Sequence, residues 1–480
     1  MARKHWALGA VDVALLVAAV VGTLTVSDEG TPPPAVRSAS TQPTTALPLV
    51  RPAWTNNAIH PVTSVLAVGG RLVVYGSEGN SLTLYGLDPA TGQVAWQRAA
   101  STSATTPGIG LRVLSVADAV VYLRPDPVDA LGARLVAADP ATGADRAVGA
   151  PAVFYTPPMD CGDNAHVCAN VEGVGLSAFS AKDGSQRPLG LATERARAVG
   201  DEGLYDLGGR TPELLAVVAA DGTVRWSVPL ESIFGPGHST DSGWEFDRYT
   251  AEDLYVGSVG PRRASSATNQ PNTTDMTQLG TAGIAASTGN RQWFIPNSYI
   301  YCQGTVFVAP AGDEHSLPVL CRYAGTETYD PVRRTSTLSG PTTVFGFDPR
   351  NGSLTWQWNA NADASLVNPE RPHVQVDDYS VILPDRTGAP FVVDLRTGAS
   401  RPAAPTTTGW CAARVSFRFG PPFYGTPPTN ERSGGVLSTA CRTDGSPAPL
   451  PGQIPHAFAA TAGDVIAFAS SSGVVAYRRG

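Results

Sequence analysis

The chain has 480 residues, only 16% of them charged, with 50 glycines and 41 prolines. The net charge of −7 and the lack of any basic stripe exclude nucleic acid as an expected partner. The length exceeds what one ordinary core fills, so the chain divides into domains or into repeated units that bury their faces against neighbours.

In chain order, the first element is an apolar run. Arg3, Lys4 and His5 precede Trp6–Val26, long enough to cross a hydrocarbon core as one helix. The basic flank stays cytoplasmic, so the rest of the chain faces outward. Asp12 lies about a third of the way along, where its insertion costs less than at the centre. No small-x-small site and no lipid-accepting Cys directly follows the run. Residues 1–26 are therefore read as an uncleaved signal anchor, with a cleaved signal peptide as the rival reading. Residues 27–48, rich in Pro, Ser and Thr, read as a disordered spacer. Lys4 and Lys182 are the only lysines, and this bias with abundant Ala and Gly suggests a GC-rich, actinomycete-like bacterium.

Residues 49–480 repeat themselves. LTLYGLDPATGQVAW ends at Trp96, LLAVVAADGTVRW at Trp226, GIAASTGNRQW at Trp293 and TVFGFDPRNGSLTW at Trp356. Further copies centre on Asp139, Asp183 and Asp394, and VIAFASSSGVVAY closes the chain. Each copy is an apolar strand, a turn of the form Asp-x-x-Thr-Gly and a second strand often ending in Trp. Asp88, Asp139, Asp221, Asp348 and Asp394 set turns by bonding nearby backbone groups. Gly92, Gly143, Gly222, Gly289, Gly352 and Gly398 supply the backbone freedom such turns need. The tryptophans offer flat surfaces for packing between units. The second, third and seventh copies lack the Trp, and the fifth has Ser287 where Asp is expected.

A further strand pair precedes most copies, giving units of four antiparallel strands. The fold class expected is all-β: an eight-bladed β-propeller of four-stranded blades, with seven blades as the alternative count. Residues 49–54 read as the strand that completes the last blade and joins the two ends of the chain. Insertions are expected near 258–280, 309–340 and 404–455, the last irregular.

The Asp-x-x-Thr-Gly-x-x-x-Trp pattern resembles the repeat of pyrroloquinoline-quinone-type propellers, over roughly residues 49–480. In that family the catalytic members hold the quinone with a calcium ion near an Asp, many beside two adjacent cysteines. No Cys-Cys pair and no Cys-x-x-Cys-His haem motif occurs here. The resemblance therefore implies the non-catalytic branch, with no cofactor, and quinone with calcium is the alternative.

The six cysteines form three local pairs, Cys161–Cys168, Cys302–Cys321 and Cys411–Cys441, read as disulfides of an exported protein. Each contributes about 2–4 kcal/mol by restricting the unfolded chain. Zinc on Cys161, His166 and Cys168 lacks a fourth ligand and a recognised spacing. No G-x-S-x-G elbow is present. The acid pairs Asp377-Asp378 and Glu252-Asp253 read as solvated turns. Trp410, Phe417, Phe419, Phe423 and Tyr424 form an aromatic cluster around the third insertion, a candidate contact surface.

These features together predict a single-pass protein of the cytoplasmic membrane with its C-terminal domain outside. Its expected role is a non-enzymatic scaffold or binding module for cell-envelope proteins, attached through one N-terminal helix. The alternatives are a quinone-dependent dehydrogenase and a carbohydrate- or ligand-binding sensor ectodomain.

Overall fold

The computed structural model describes residues 46–105, 110–190, 197–199, 203–207, 212–262, 271–300, 317–330, 335–360, 373–423 and 429–479. The expected anchor over 1–26 and nearly all of the spacer lie outside these residues. Among the described residues no helix is long and apolar enough to cross a membrane.

The fold is built from consecutive antiparallel sheets. In the first, Leu66–Val68, Arg71–Glu78, Ser81–Leu87 and Val94–Ala100 pair in chain order. Sheets of the same order follow over 114–152, 159–188 and 197–229. The fifth covers 238–296 and the sixth 298–360, each with an insertion between its strands. Among the described residues seven sheets have four strands and one has six. This succession of four-stranded antiparallel units is the β-propeller arrangement. Inner strands such as Arg71–Glu78, Ala119–Pro125 and Val465–Ser470 carry continuous apolar runs buried at successive positions, and the buried clusters lie between neighbouring sheets. Val73, Tyr75 and Leu84 of the first sheet pack with Val120, Tyr122 and Val136 of the second. Leu215 and Val217 of the fourth likewise pack with Tyr255 and Ile284 of the fifth.

The turns behave as their residues dictate. Asp88 Oδ1 accepts from the backbone N–H groups of Ala90 and Thr91 and from the Thr91 hydroxyl, each at 3.0 Å. The N–H of Gly92 closes the turn on Asp88 O at 2.8 Å. Asp139 repeats the arrangement, while Asp348 and Asp394 keep the bond from the N–H two residues on and the glycine closure. One alignment is corrected. In the fifth unit the N–H of Gly289 bonds Ala285 O, so Ala285, not Ser287, stands at the Asp position. A backbone-closed turn survives there without the carboxylate.

Each repeat tryptophan reaches into the next sheet. Trp96 Nε1 donates to Pro140 O at 2.9 Å, Trp226 to Ala286 O at 2.7 Å and Trp293 to Pro349 O at 2.7 Å. The accepting carbonyl belongs to the residue after the turn's first position. The turn glycine faces the incoming ring. Gly143 has φ +66°, and a Cβ there would lie 2.7 Å from Trp96 Cδ2, so only glycine fits. In the third sheet, which lacks the Trp, Arg187 donates to Ala220 O of the fourth. From the sixth to the seventh the work is shared: Trp356 packs on Gly398, while Trp358 Nε1 donates to Pro384 O at 3.0 Å.

The eighth sheet joins the chain's two ends. Ala460–Ala462, Val465–Ser470 and Gly473–Arg478 are completed by Arg51–Asn56, which pairs antiparallel with Gly473–Arg478. Trp54 on that strand packs on Gly92 and donates to Pro89 O at 2.8 Å. It therefore does for the eighth and first sheets what Trp96 does for the first and second. Strand pairing extends to residues before 49: Ala46 and Leu47 are buried, and Leu47 pairs with Ile454. An apolar side chain with a strand partner leaves no reason for the spacer to run to residue 48.

Trp54→Ala should cost about 3 kcal/mol. Leu354→Ala, at an exposed position, should cost under about 0.5 kcal/mol. Urea unfolding of the two variants checks the difference.

Acid should also act on the turns. The Arg146 guanidinium holds the Asp139 carboxyl below its ordinary value, and the Ser185 hydroxyl lowers Asp183 to about 2. Arg350 and Thr387 lower Asp348 and Asp385 in the same way. A carboxyl lowered on folding stabilises the fold above its unfolded value and loses that contribution as pH falls through the folded value. Thermal stability should therefore hold down to about pH 4 and decline between about pH 4 and 2.

Candidate functional site

The third insertion is not irregular. Thr408–Phe423 and Thr429–Arg442 form a long antiparallel hairpin. Its first strand pairs with His373–Gln375, the first strand of the seventh unit, which makes that sheet six-stranded. Gly and Pro within the segment conceal this in the sequence, because hairpin pairing needs only backbone groups and side chains that tolerate an extended chain. Cys411–Cys441 bonds the two strands near the base of the hairpin.

The hairpin leaves its own sheet and reaches the first two. The N–H of Gly435 donates to Val62 O at 2.7 Å, and the N–H of Leu111 donates to Ser433 O at 2.9 Å. Phe417 packs among Val62, Tyr75 and Leu82. Glycine is needed at 434, where a Cβ would collide with the carbonyl of Val62.

The expected exposed aromatic patch is corrected accordingly. Trp410 is 0% exposed and Phe417 7% exposed, while Phe419 is half-buried against the core between the first two sheets. Trp410 Nε1 donates to Gln453 O at 2.6 Å, and its ring packs with Leu47, Ile454 and Phe468. These aromatics are spent on holding the hairpin down. Phe423 lies at the end of the first strand, and Tyr424 is outside the described residues.

Under the hairpin lies a narrow cleft, partly open to solvent, with room for about one water. Ser101, Thr102 and Thr105 come from the loop after the first sheet, and Leu111, Arg112 and Leu114 from the start of the second. Pro157 and Pro158 stand ahead of the third sheet, and Arg432 and Ser433 come from the hairpin. Arg432 is only 3% exposed; its Nε donates to Thr102 Oγ1 at 3.3 Å and its Nη1 to Glu431 O at 3.1 Å. Burial pulls the Arg432 pKa down. Sequence reading missed this arginine, since nothing local distinguishes it from an exposed one.

Two further polar clusters join neighbouring sheets. Thr240 Oγ1 lies 2.5 Å from Asp206 Oδ2 and 2.7 Å from Glu213 Oε1, across the fourth and fifth sheets. The second cluster corrects the reading of Asp378 as a solvated turn residue. Asp378 is 1% exposed. It accepts from the N–H of His456 at 2.6 Å and meets the ring Nδ1 of His456 at 2.8 Å. A buried carboxylate needs such donors, and the chain supplies them 78 residues away. Asp377 does hold a turn, accepting from the N–H groups of Tyr379 and Ser380.

Cys161 and Cys168 are bonded to each other, so they are not free as zinc ligands. His166 pairs instead with Asp163, Nδ1 to Oδ2 at 2.6 Å. Cys321 is disulfide-bonded, and Cys302 lies outside the described residues. A quinone with calcium would need a set of oxygen donors. Among the described residues no three of His, Cys, Asp and Glu come together to hold a metal ion.

Asp378→Ala should cost about 2–3 kcal/mol by leaving the His456 N–H groups without their acceptor. Hydrogen exchange should show the local opening at 453–458, while the first sheet stays protected.

Comparison with known proteins bears on the repeat of the first two sheets. Residues 50–153 match the pyrroloquinoline-quinone repeat family model described as "Outer membrane protein assembly factor BamB". No curated protein matches the chain. Among solved structures, BamB from Moraxella catarrhalis aligns at 12% identity over 88% of this chain and 100% of its own, with a TM-score of 0.28. The quinohemoprotein alcohol dehydrogenase ADHIIG from Pseudomonas putida HK5 aligns at 12% identity over 82% and 78%, with a TM-score of 0.37. Sqt1 from Saccharomyces cerevisiae aligns at 9% identity over 91% and 100%, with a TM-score of 0.38. The sheets are those of a β-propeller, and over residues 50–153 the chain carries the pyrroloquinoline-quinone-type repeat in its BamB-like form.

Proposed function

We propose that this chain is an eight-bladed propeller, tethered to the cytoplasmic membrane and facing outward, that works as a non-enzymatic scaffold for cell-envelope proteins. The observation that carries the reading is the match of residues 50–153 to the repeat of an outer-membrane protein assembly factor. Eight sheets, with Trp54 linking the eighth to the first, support the count of eight over seven. The bonded pairs Cys161–Cys168 and Cys411–Cys441 support an oxidising compartment. The basic flank and apolar run at 3–26 support the tether and its direction. A domain held together by clasps between its sheets is rigid, and a rigid surface near the membrane suits the docking of other proteins with little loss of conformational entropy.

Proximity labelling in the native cell, with the label fused to the C-terminus of the full chain, tests this. The expected outcome is a set of envelope proteins enriched over an unrelated anchored control. Neighbours no different from that control would count against a scaffold. A rise in melting temperature on adding pyrroloquinoline quinone with calcium would overturn the cofactor-free part of the reading.

A further inference from the structure

We propose that the seam between the chain's two ends carries a membrane-contact surface, an exposed apolar patch flanked by arginines that rests on an anionic bilayer. Among the described residues eight large aliphatic side chains are exposed. Six of them are scattered over five sheets, as single exposed apolar residues commonly are. The other two, Val50 at 64% and Leu450 at 50%, stand together. Leu47 pairs with Ile454 and Pro48 with Gln453, and the N–H of Leu49 donates to Gly452 O at 2.7 Å. The same register carries Val50 alongside Pro451 and Leu450. Pro48, Pro52 and Pro449 are exposed beside them.

The charge around the patch is one-sided. Neither 46–57 nor 445–460 contains Asp or Glu. Arg51 follows Val50 directly and is the register partner of Arg478 in the eighth sheet. Arg51, Arg478 and Arg479 are all exposed. Asp464 meets Arg478 at 3.1 Å, whereas Arg51 and Arg479 pair with no carboxylate among the described residues. This corner is therefore locally positive on a chain of net charge −7. Aliphatic side chains can enter the boundary between headgroups and acyl chains while guanidinium groups meet lipid phosphates.

The proposal rests on the tether read at residues 1–26. From residue 27 to Ala46 the chain reaches at most about 65 Å when fully extended, so an anchor there keeps this corner near lipid. Ala46 adjoins the patch through Leu47 and Pro48. These side chains are thus among the first that the domain can bring to the bilayer.

The full chain would be reconstituted in nanodiscs of phosphatidylcholine, or of phosphatidylcholine and phosphatidylglycerol in equal parts, and footprinted with hydroxyl radicals. Val128, 91% exposed in a loop of the second sheet, is the internal reference. Scaled to Val128, oxidation of Val50 and Leu450 should be at least about threefold lower in the anionic discs, and high salt should remove the difference. The double variant R51Q/R479Q, at exposed positions that leave folding intact, should bring Leu450 back to its level in phosphatidylcholine. Unchanged protection in that variant would overturn the part given to the arginines. Equal oxidation in the two discs would overturn the proposal and leave the tether standing. A chain that enters neither disc would overturn the tether, and this contact with it. Protection in membranes of the native cell but in neither disc would give the patch to a protein partner and overturn the lipid assignment.

Discussion

The structure depends on one recurring contact: an indole from the last strand of one sheet lodged against the turn of the next. A four-stranded sheet cannot bury both faces alone, and its outer strand offers little apolar surface. The indole solves both problems. Its ring covers the next turn, and its N–H satisfies a turn carbonyl, as in Trp96 to Pro140. The turn must then expose its backbone to the ring, which explains glycine at 143, 289 and 352.

The contact also shows what may vary. In the third sheet, where the Trp is missing, the fold keeps the bond and changes the donor, from Arg187 to Ala220 O. Where the Asp is missing, at Ala285, the turn keeps its backbone closure and loses only the carboxylate's extra bonds. The carbonyl acceptor and the turn glycine are thus the less replaceable partners. Trp54 meets the same partners from the opposite end of the chain. Closure of the fold is therefore one more copy of the common contact.

The hairpin at 408–442 adds a second layer of connection. It begins on the first strand of the seventh unit, holds Leu47 and Ile454 through Trp410, and ends against Val62 and Leu111. A segment that ties the seam between the chain's ends to the first two sheets also builds the wall of the cleft.

The sequence by itself determined the repeat, its turns and the pairing of the local cysteines 161 with 168 and 411 with 441. These rest on interactions within a few residues, where spacing dictates geometry: Asp88 bonds Ala90 and Thr91 whatever surrounds them. Only the tertiary structure decided the fate of residues whose partners lie far along the chain. Trp410 and Phe417 read as a surface patch because the strands that cover them are remote in sequence. Asp378 read as solvated because its donor stands at His456. Arg432 carried no signal at all, since burial beside Thr102 is set by where a hairpin lands, 330 residues from its partner. Burial and long-range hydrogen bonding are properties of the assembled sheets, and no local pattern of residue types encodes them.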